Sequence, residues 1–137
     1  MAYHILVVDD NEMNLSLIGR ILELEGYSVE TVHEGAEAFE AINRQAPDLA
    51  ILDVMMPDID GYSLCKKLRL EKNASDIPIV MLTAMNSEIE RTRALEAGAN
   101  DIWSKPFDLD MFRKWIRDTL ENSGQHQAPL KTGDQEK

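Results

Sequence analysis

The chain contains one cysteine, Cys65, so it can form neither an internal disulfide nor a cysteine-built zinc site, and a reducing cytoplasm is the expected setting. Positive charge is scarce. Fourteen Lys and Arg stand against 25 Asp and Glu, a formal net charge of −11. That imbalance argues against direct binding to nucleic acid or to an anionic membrane, both of which need a basic face, and leaves docking to a basic partner open. No apolar run approaches the ~20 residues of a membrane span, and the segment from Met1 to Val8 lacks the basic leader of a secretory signal. No glycine-rich phosphate loop of the GxxxxGK or GxGxxG kind occurs, which removes P-loop and dinucleotide-binding readings. Repeats of solenoid period are absent too.

The 137 residues, 44% hydrophobic and 28% charged, suit a single domain with a proper core. Apolar runs of strand length occur at His4 to Val8, Tyr27 to Val32, Leu49 to Asp53, Pro78 to Thr83 and Asp101 to Ser104. Between them lie helical patterns. Met13, Leu17, Ile18, Ile21, Leu22 and Leu24 recur after Asn11, with Gly26 as the stop. Ala38, Phe39 and Ile42 share one side of Gly35 to Gln45. Tyr62, Cys65, Leu68 and Arg69 follow Asp60 and Gly61, which with Pro57 break the preceding strand. From about Ser87, Ile89, Ala94, Leu95 and Ala97 are expected inward, with Gly98 at the exit. Leu109, Phe112, Trp115, Ile116 and Leu120 follow Asp108, the expected N-cap. Five strand–helix alternations predict a doubly wound α/β domain with a parallel sheet and helices on both faces, because each parallel step needs a crossover. Residues 1–122 are assigned to this domain, and 123–137 to a polar flexible tail or truncated linker.

In such sheets ligands sit beyond the carboxyl ends of the strands. The strands here end in Asp9 and Asp10, Asp53, Thr83 and Lys105, so three carboxylates, a hydroxyl and an ammonium converge on one rim. Clustered carboxylates repel, and a shared buried site raises at least one pKa. A hard divalent cation relieves this, and Mg2+ suits it because it takes oxygen ligands and keeps several waters. Metal, ammonium and hydroxyl together are equipped to receive a phosphoryl group, with one carboxylate as nucleophile. Asp53 is the candidate: it stands alone on the most central strand, whereas Asp9 and Asp10 form a pair suited to metal.

Over roughly residues 4–121 the chain resembles the receiver domain of response regulators, the CheY-like partners of sensor histidine kinases. The carriers are Val7-Val8-Asp9-Asp10-Asn11, Leu52-Asp53-Val54-Met55-Met56-Pro57 with Asp60-Gly61, Leu82-Thr83-Ala84, and Ala97-Gly98-Ala99 through Lys105-Pro106-Phe107. The resemblance implies a flavodoxin-like sheet of order 2-1-3-4-5. It implies that Asp53 accepts phosphate from a phosphohistidine or a small phosphodonor. Asp10, Asp53 and the Met55 carbonyl would bind Mg2+ (or Mn2+), Asp9 would assist through water, and Thr83 and Lys105 would contact phosphoryl oxygens. The Lys105–Pro106 bond is expected to be cis. Implied partners are a sensor histidine kinase or histidine phosphotransfer protein, and a downstream target or second copy at the face made by the fourth helix, fifth strand and fifth helix.

Two positions depart from the family pattern. Receivers usually carry Tyr or Phe three residues before the lysine, and here that position is Ile102. Trp103 is adjacent, but strand alternation sends neighbours to opposite faces, so it is no simple stand-in. Met55 and Met85, each two positions past a site residue, overlook the phosphoryl group in this family, and two apolar side chains there would exclude an attacking water. A long-lived phosphoryl state is therefore expected.

Taken singly, the rim residues have plainer readings. Asp9 and Asp10 can cap a helix, Thr83 can be a strand-end hydroxyl and Lys105 a solvated charge. All of these holding at one rim is improbable. His4, His33 and His126 never pair at ligand spacing, Cys65 reads as a core residue, and Phe112, Trp115 and Ile116 read as core. Glu88, Glu90, Arg91, Arg93, Arg113 and Arg117 read mostly as solvated helix faces. Two other functions share parts of this pattern. A Mg-dependent phosphatase with an aspartyl intermediate wants a second acid where Met55 stands. A flavodoxin-like cofactor-binding module wants hydroxyl and glycine where Asp9-Asp10-Asn11-Glu12 stands. A stand-alone receiver is expected, because the chain begins with methionine and shows no second domain.

Overall fold

A computed structural model describes residues 2–84 and 87–125. Five strands alternate with five helices: β1 His4–Val8, α1 Glu12–Leu24, β2 Ser28–Val32, α2 Gly35–Arg44, β3 Leu49–Asp53, α3 Gly61–Leu68, β4 Ile79–Thr83, α4 Glu88–Ala97, β5 Asp101–Ser104 and α5 Leu109–Gln125. A short 3-10 turn, Lys72–Ala74, lies between α3 and β4. All strand pairs are parallel, in the order β2-β1-β3-β4-β5. The order reverses between β1 and β3. Those two strands carry the candidate acids, so the rim that the sequence singles out lies at the switch point where open α/β sheets bind ligands.

Strand alternation divides the core in two. Leu6, Val8, Ala50, Leu52, Met81 and Ile102 face the layer of α2, α3 and α4. Ile5, Val7, Leu49, Ile51, Val80 and Leu82 face α1 and α5. Strands β1, β3 and β4 are buried at every position, as expected of central parallel strands covered on both sides.

The helix ends follow local chemistry. Asn11 caps α1 by accepting the Asn14 backbone N–H at 3.0 Å, so neither Asp9 nor Asp10 is its cap. Asp60 caps α3 through the Ser63 N–H at 2.9 Å, and Asp108 accepts the Met111 N–H at 3.0 Å. Gly98 closes α4 in the left-handed region, at φ 103°. Helix α5 runs to Gln125, past residue 123 where the sequence places the start of the tail. Residues 126–137, and His126 with them, lie outside the described residues.

Two helices face differently from their sequence pattern. In α4 the buried residues are Ala94 and Ala97, while Ile89 and Leu95, expected inward, are exposed. Ala94 and Ala97 set the helix phase, and at about 100° per residue Ile89 falls roughly 140° from Ala94. Only small residues of α4 meet the sheet. In α1, Leu15, Ile18 and Leu22 are buried, whereas Met13, Leu17 and Leu24 form a second, exposed apolar side.

Candidate functional site

Parallel register brings the rim residues together. Val8 pairs with Leu52, so Asp9 follows β1 beside Asp53 at the end of β3. Thr83 ends β4 opposite Ser104 of β5, and Lys105 follows at once, its backbone N–H donating to the Thr83 carbonyl at 2.8 Å. Asp9, Asp53 and Thr83 are buried, while Asp10 is exposed. One carboxylate oxygen from each of Asp9, Asp10 and Asp53 lies within 4.8 Å of the others. Lys105 Nζ donates to Asp53 Oδ1 at 3.0 Å and sits 3.9 Å from Asp9 Oδ2.

Electrostatics at Asp53 are unfavourable to its charge. Burial pushes its pKa up, the Lys105 hydrogen bond opposes this, and the charges of Asp9 and Asp10 push it up again. A cation would remove the repulsion. The donor set is all oxygen, three carboxylates beside a solvent-facing loop, and it fits a hard divalent ion that retains waters.

The floor under the acceptor is a close backbone contact. Gly61, first in α3, donates its N–H to the Val54 carbonyl at 2.7 Å. A Cβ at this position would stand 2.4 Å from the Asp53 carbonyl oxygen and 2.8 Å from Val54 Cα. Only glycine permits that approach. Pro57 is exposed in the connecting loop. Met55 is 73% exposed. Ala84 is exposed directly after Thr83, and Met85 lies outside the described residues. The Lys105–Pro106 bond is cis, with Pro106 exposed.

Ile102 and Trp103 do lie in opposite cores. Ile102 is buried on the α3 and α4 side. Trp103 is half-buried on the other side, its ring 6.1 Å from Phe107 and 5.4 Å from Phe112. The aromatic ring beside Lys105 therefore faces α5 and not α4.

Three residues make contacts that the sequence pattern does not signal as such, one at the acidic site and two elsewhere in the fold. Asn14 binds Asp9 through its side-chain amide at 3.2 Å; its position one helical turn beyond Asp10 was the available signal. Tyr62 bridges α3 to α4: its hydroxyl donates to Glu90, and the Arg93 guanidinium lies 4.4 Å above its ring. Glu90 and Arg93 are thus not simply solvated. Arg69 is the third. Its guanidinium donates to the carbonyls of Gly98, Ala74 and Ile77 and to Asn100 Oδ1, at 2.6–3.0 Å. Cys65, Phe112 and Ile116 are core, Trp115 is half-buried, and His33 contacts Glu12 and Glu37 at the surface. His4 is buried beside Ser28 and Glu30.

The family model for the response regulator receiver domain matches residues 5–117. Response regulator MprA of Mycobacterium ulcerans is 46% identical over 123 residues, 90% of this chain and 52% of that protein, so the chain spans about half the length of the curated relatives it matches. A CheY-like response regulator receiver domain protein from Methanospirillum hungatei JF-1 superposes with TM-score 0.84 at 29% identity, covering 91% of this chain and 98% of that one. The signal receiver domain of a signal transduction histidine kinase from Syntrophus aciditrophicus gives 0.83 at 32%, covering 96% and 100%. Among the described residues no helix is long and apolar enough to cross a membrane.

Proposed function

Since this chain belongs to the response regulator receiver domain family, we propose that it is a phosphorylation-controlled switch whose acceptor is Asp53. The observation that carries this is the placement of a buried carboxylate, 3.0 Å from a lysine ammonium, within 4.8 Å of two further acids at the switch point of the sheet. A carboxylate oxygen of Asp53 bonds to phosphorus as the P–N bond of a donor phosphohistidine breaks. The electron pair returns to the imidazole nitrogen, which takes a proton from solvent. Lys105 neutralises charge on the transferred group, and the Thr83 hydroxyl at the end of β4 donates a hydrogen bond to it. Asp10, Asp53 and the Met55 carbonyl, with Asp9 through water, are the groups that would hold Mg2+ or Mn2+. A bound cation would supply further charge neutralisation at the phosphoryl oxygens.

The donor is a sensor histidine kinase or a histidine phosphotransfer protein, which places the domain in the cytoplasm. The output is a change in affinity for a downstream protein or a second copy at the α4–β5–α5 face. Apolar Ile89, Leu95 and Met111, all exposed on α4 and α5, support that surface. The chain catalyses only its own phosphorylation and dephosphorylation, and does not turn over an external ester. Met55, where a phosphatase wants an acid, favours this over the phosphatase reading, and the acidic loop after β1 disfavours a phosphate-bearing cofactor.

Incubation with Mg2+ and acetyl phosphate, read by intact mass, tests the proposal. One phosphoryl adduct, absent in Asp53→Asn, is expected. Steady hydrolysis of a phosphate ester, or an adduct retained in Asp53→Asn, overturns it.

A further inference from the structure

Asp9 is 1% exposed, and both of its oxygens are engaged by the start of α1. Oδ1 accepts the Asn11 backbone N–H at 2.9 Å. Oδ2 accepts the Asn14 side-chain amide at 3.2 Å, and that same oxygen lies 3.9 Å from Lys105 Nζ. Lys105 meanwhile is bonded to Asp53 Oδ1 at 3.0 Å. Two donors thus compete for one oxygen, and the neutral one holds it. Asn14 can do so because its turn is anchored independently: Asn11 Oδ1 accepts the Asn14 backbone N–H at 3.0 Å.

We propose that Asn14 is a positioning residue of the acidic site, fixing the Asp9 carboxylate towards the cation position and leaving Lys105 to Asp53. The inference rests on the receiver reading above. A buried carboxylate oxygen deprived of its donor must find another, and Lys105 is the charged donor within reach. Removing the amide therefore frees Asp9 to turn and draws the ammonium away from the acceptor. Cation binding weakens because a carboxylate of the site is disordered and its charge is taken up by the ammonium. The contact to Asn11 is donated by the Asn14 backbone N–H and survives any substitution but proline, so the helix start does not depend on this side chain.

The test is calorimetric titration of Mg2+ into the full chain carrying Asn14→Leu, similar in size without a donor, and Asn14→Gln, which keeps the amide. Melting of the metal-free proteins is measured alongside. The leucine variant should bind Mg2+ about tenfold more weakly, the usual scale for removing a group that orients a metal-site ligand, and the glutamine variant should recover most of the loss. Should the leucine variant fail to fold, Asn14→Ser, too short to reach Asp9, gives the same comparison. Mg2+ affinity equal to wild type in the donor-free variant overturns the inference, as does lowered melting in both variants with unchanged affinity. Absence of phosphoryl transfer to Asp53 in the wild-type chain would overturn the receiver reading instead, so the two failures are told apart.

Discussion

Lys105 and Asp53, 52 residues apart in the chain, meet at 3.0 Å where β3 and β5 reach the same rim. The pair offsets a site otherwise built of three carboxylates. Lys105→Met should lower metal-free stability at pH 7 by about 1–3 kcal/mol, since it leaves a buried carboxylate without its charged partner. Mg2+ should restore more stability to the variant than it adds to wild type. Urea melts with and without Mg2+ give both numbers, and identical behaviour of the two proteins would show that the pair contributes nothing.

The raised pKa of Asp53 sets a pH dependence with a definite sign. The native state holds the proton more tightly than the unfolded chain, whose aspartates titrate near ~4. Between the unfolded and native pKa values the native state binds more protons, so this group's contribution to stability falls as pH rises through that window. Asp53→Asn abolishes the effect. In EDTA the variant should therefore be the more stable protein at pH 7, with the gap closing as pH falls towards 4. Denaturant melts of the two proteins across that range check the sign, and a gap widening towards acid would contradict it.

Gly61→Ala should cost about 1–3 kcal/mol, the usual scale for forcing an extra carbon into packed structure. The added Cβ would meet backbone, the Asp53 carbonyl oxygen at 2.4 Å and Val54 Cα at 2.8 Å, and backbone cannot swing aside as a side chain can. The strain falls on the residue that bears the acceptor, so Mg2+ affinity should fall as well. Comparison with Gly26→Ala separates the two causes: at φ 97° an alanine there is strained by its backbone alone, with nothing within 4 Å of its Cβ position. Only Gly61→Ala should alter Mg2+ binding.

The sheet and its rim could be read from the chain because their signals are local. Short apolar runs end in polar residues, and the cap residues Asp60 and Asp108 act within three positions of themselves. Asp53 and Lys105 converge because parallel strands share a carboxyl edge, which topology alone dictates. The inward face of α4 was not legible, because alanines make the contact while Ile89 and Leu95, the residues that weigh most in a pattern, point outward. The roles of Tyr62 and Arg69 were also hidden. Each depends on partners about 30 positions away, Glu90 and Gly98, whose proximity exists only after the sheet has assembled.

Tyr62 gives a further prediction. Burial, with Glu90 accepting its proton-bearing hydroxyl, pushes the phenol up to about 12. Its native pKa lies above the unfolded value, so the contribution is complete below about 10 and is lost as pH rises through 12. Tyr62→Phe should cost about 0.5–1.5 kcal/mol at neutral pH, the range for one hydrogen bond, while retaining the ring beneath Arg93. Tyr62→Leu should cost more because it loses both contacts between α3 and α4. An ultraviolet titration comparing wild type with Tyr62→Phe should assign the highest phenol midpoint to this residue.

Arg69 joins four segments that share no strand pairing with one another: the end of α3, the 3-10 turn, the approach to β4 and the exit of α4. Its planar fork reaches the Gly98 carbonyl with two nitrogens and the Ala74 and Ile77 carbonyls with a third. Burial depresses its pKa, yet guanidinium starts high enough to stay charged at neutral pH. A lysine carries the same charge but has one nitrogen, so it can satisfy at most part of this set. Arg69→Lys should therefore destabilise by about 2–4 kcal/mol, most of the loss arising from carbonyls left without donors. Because these contacts lie at the end of the sheet opposite the acidic rim, Mg2+ affinity of the folded variant should match wild type. Melting curves and Mg2+ titrations on one sample test both halves, and a variant with weakened Mg2+ binding would reveal coupling between the two ends of α4.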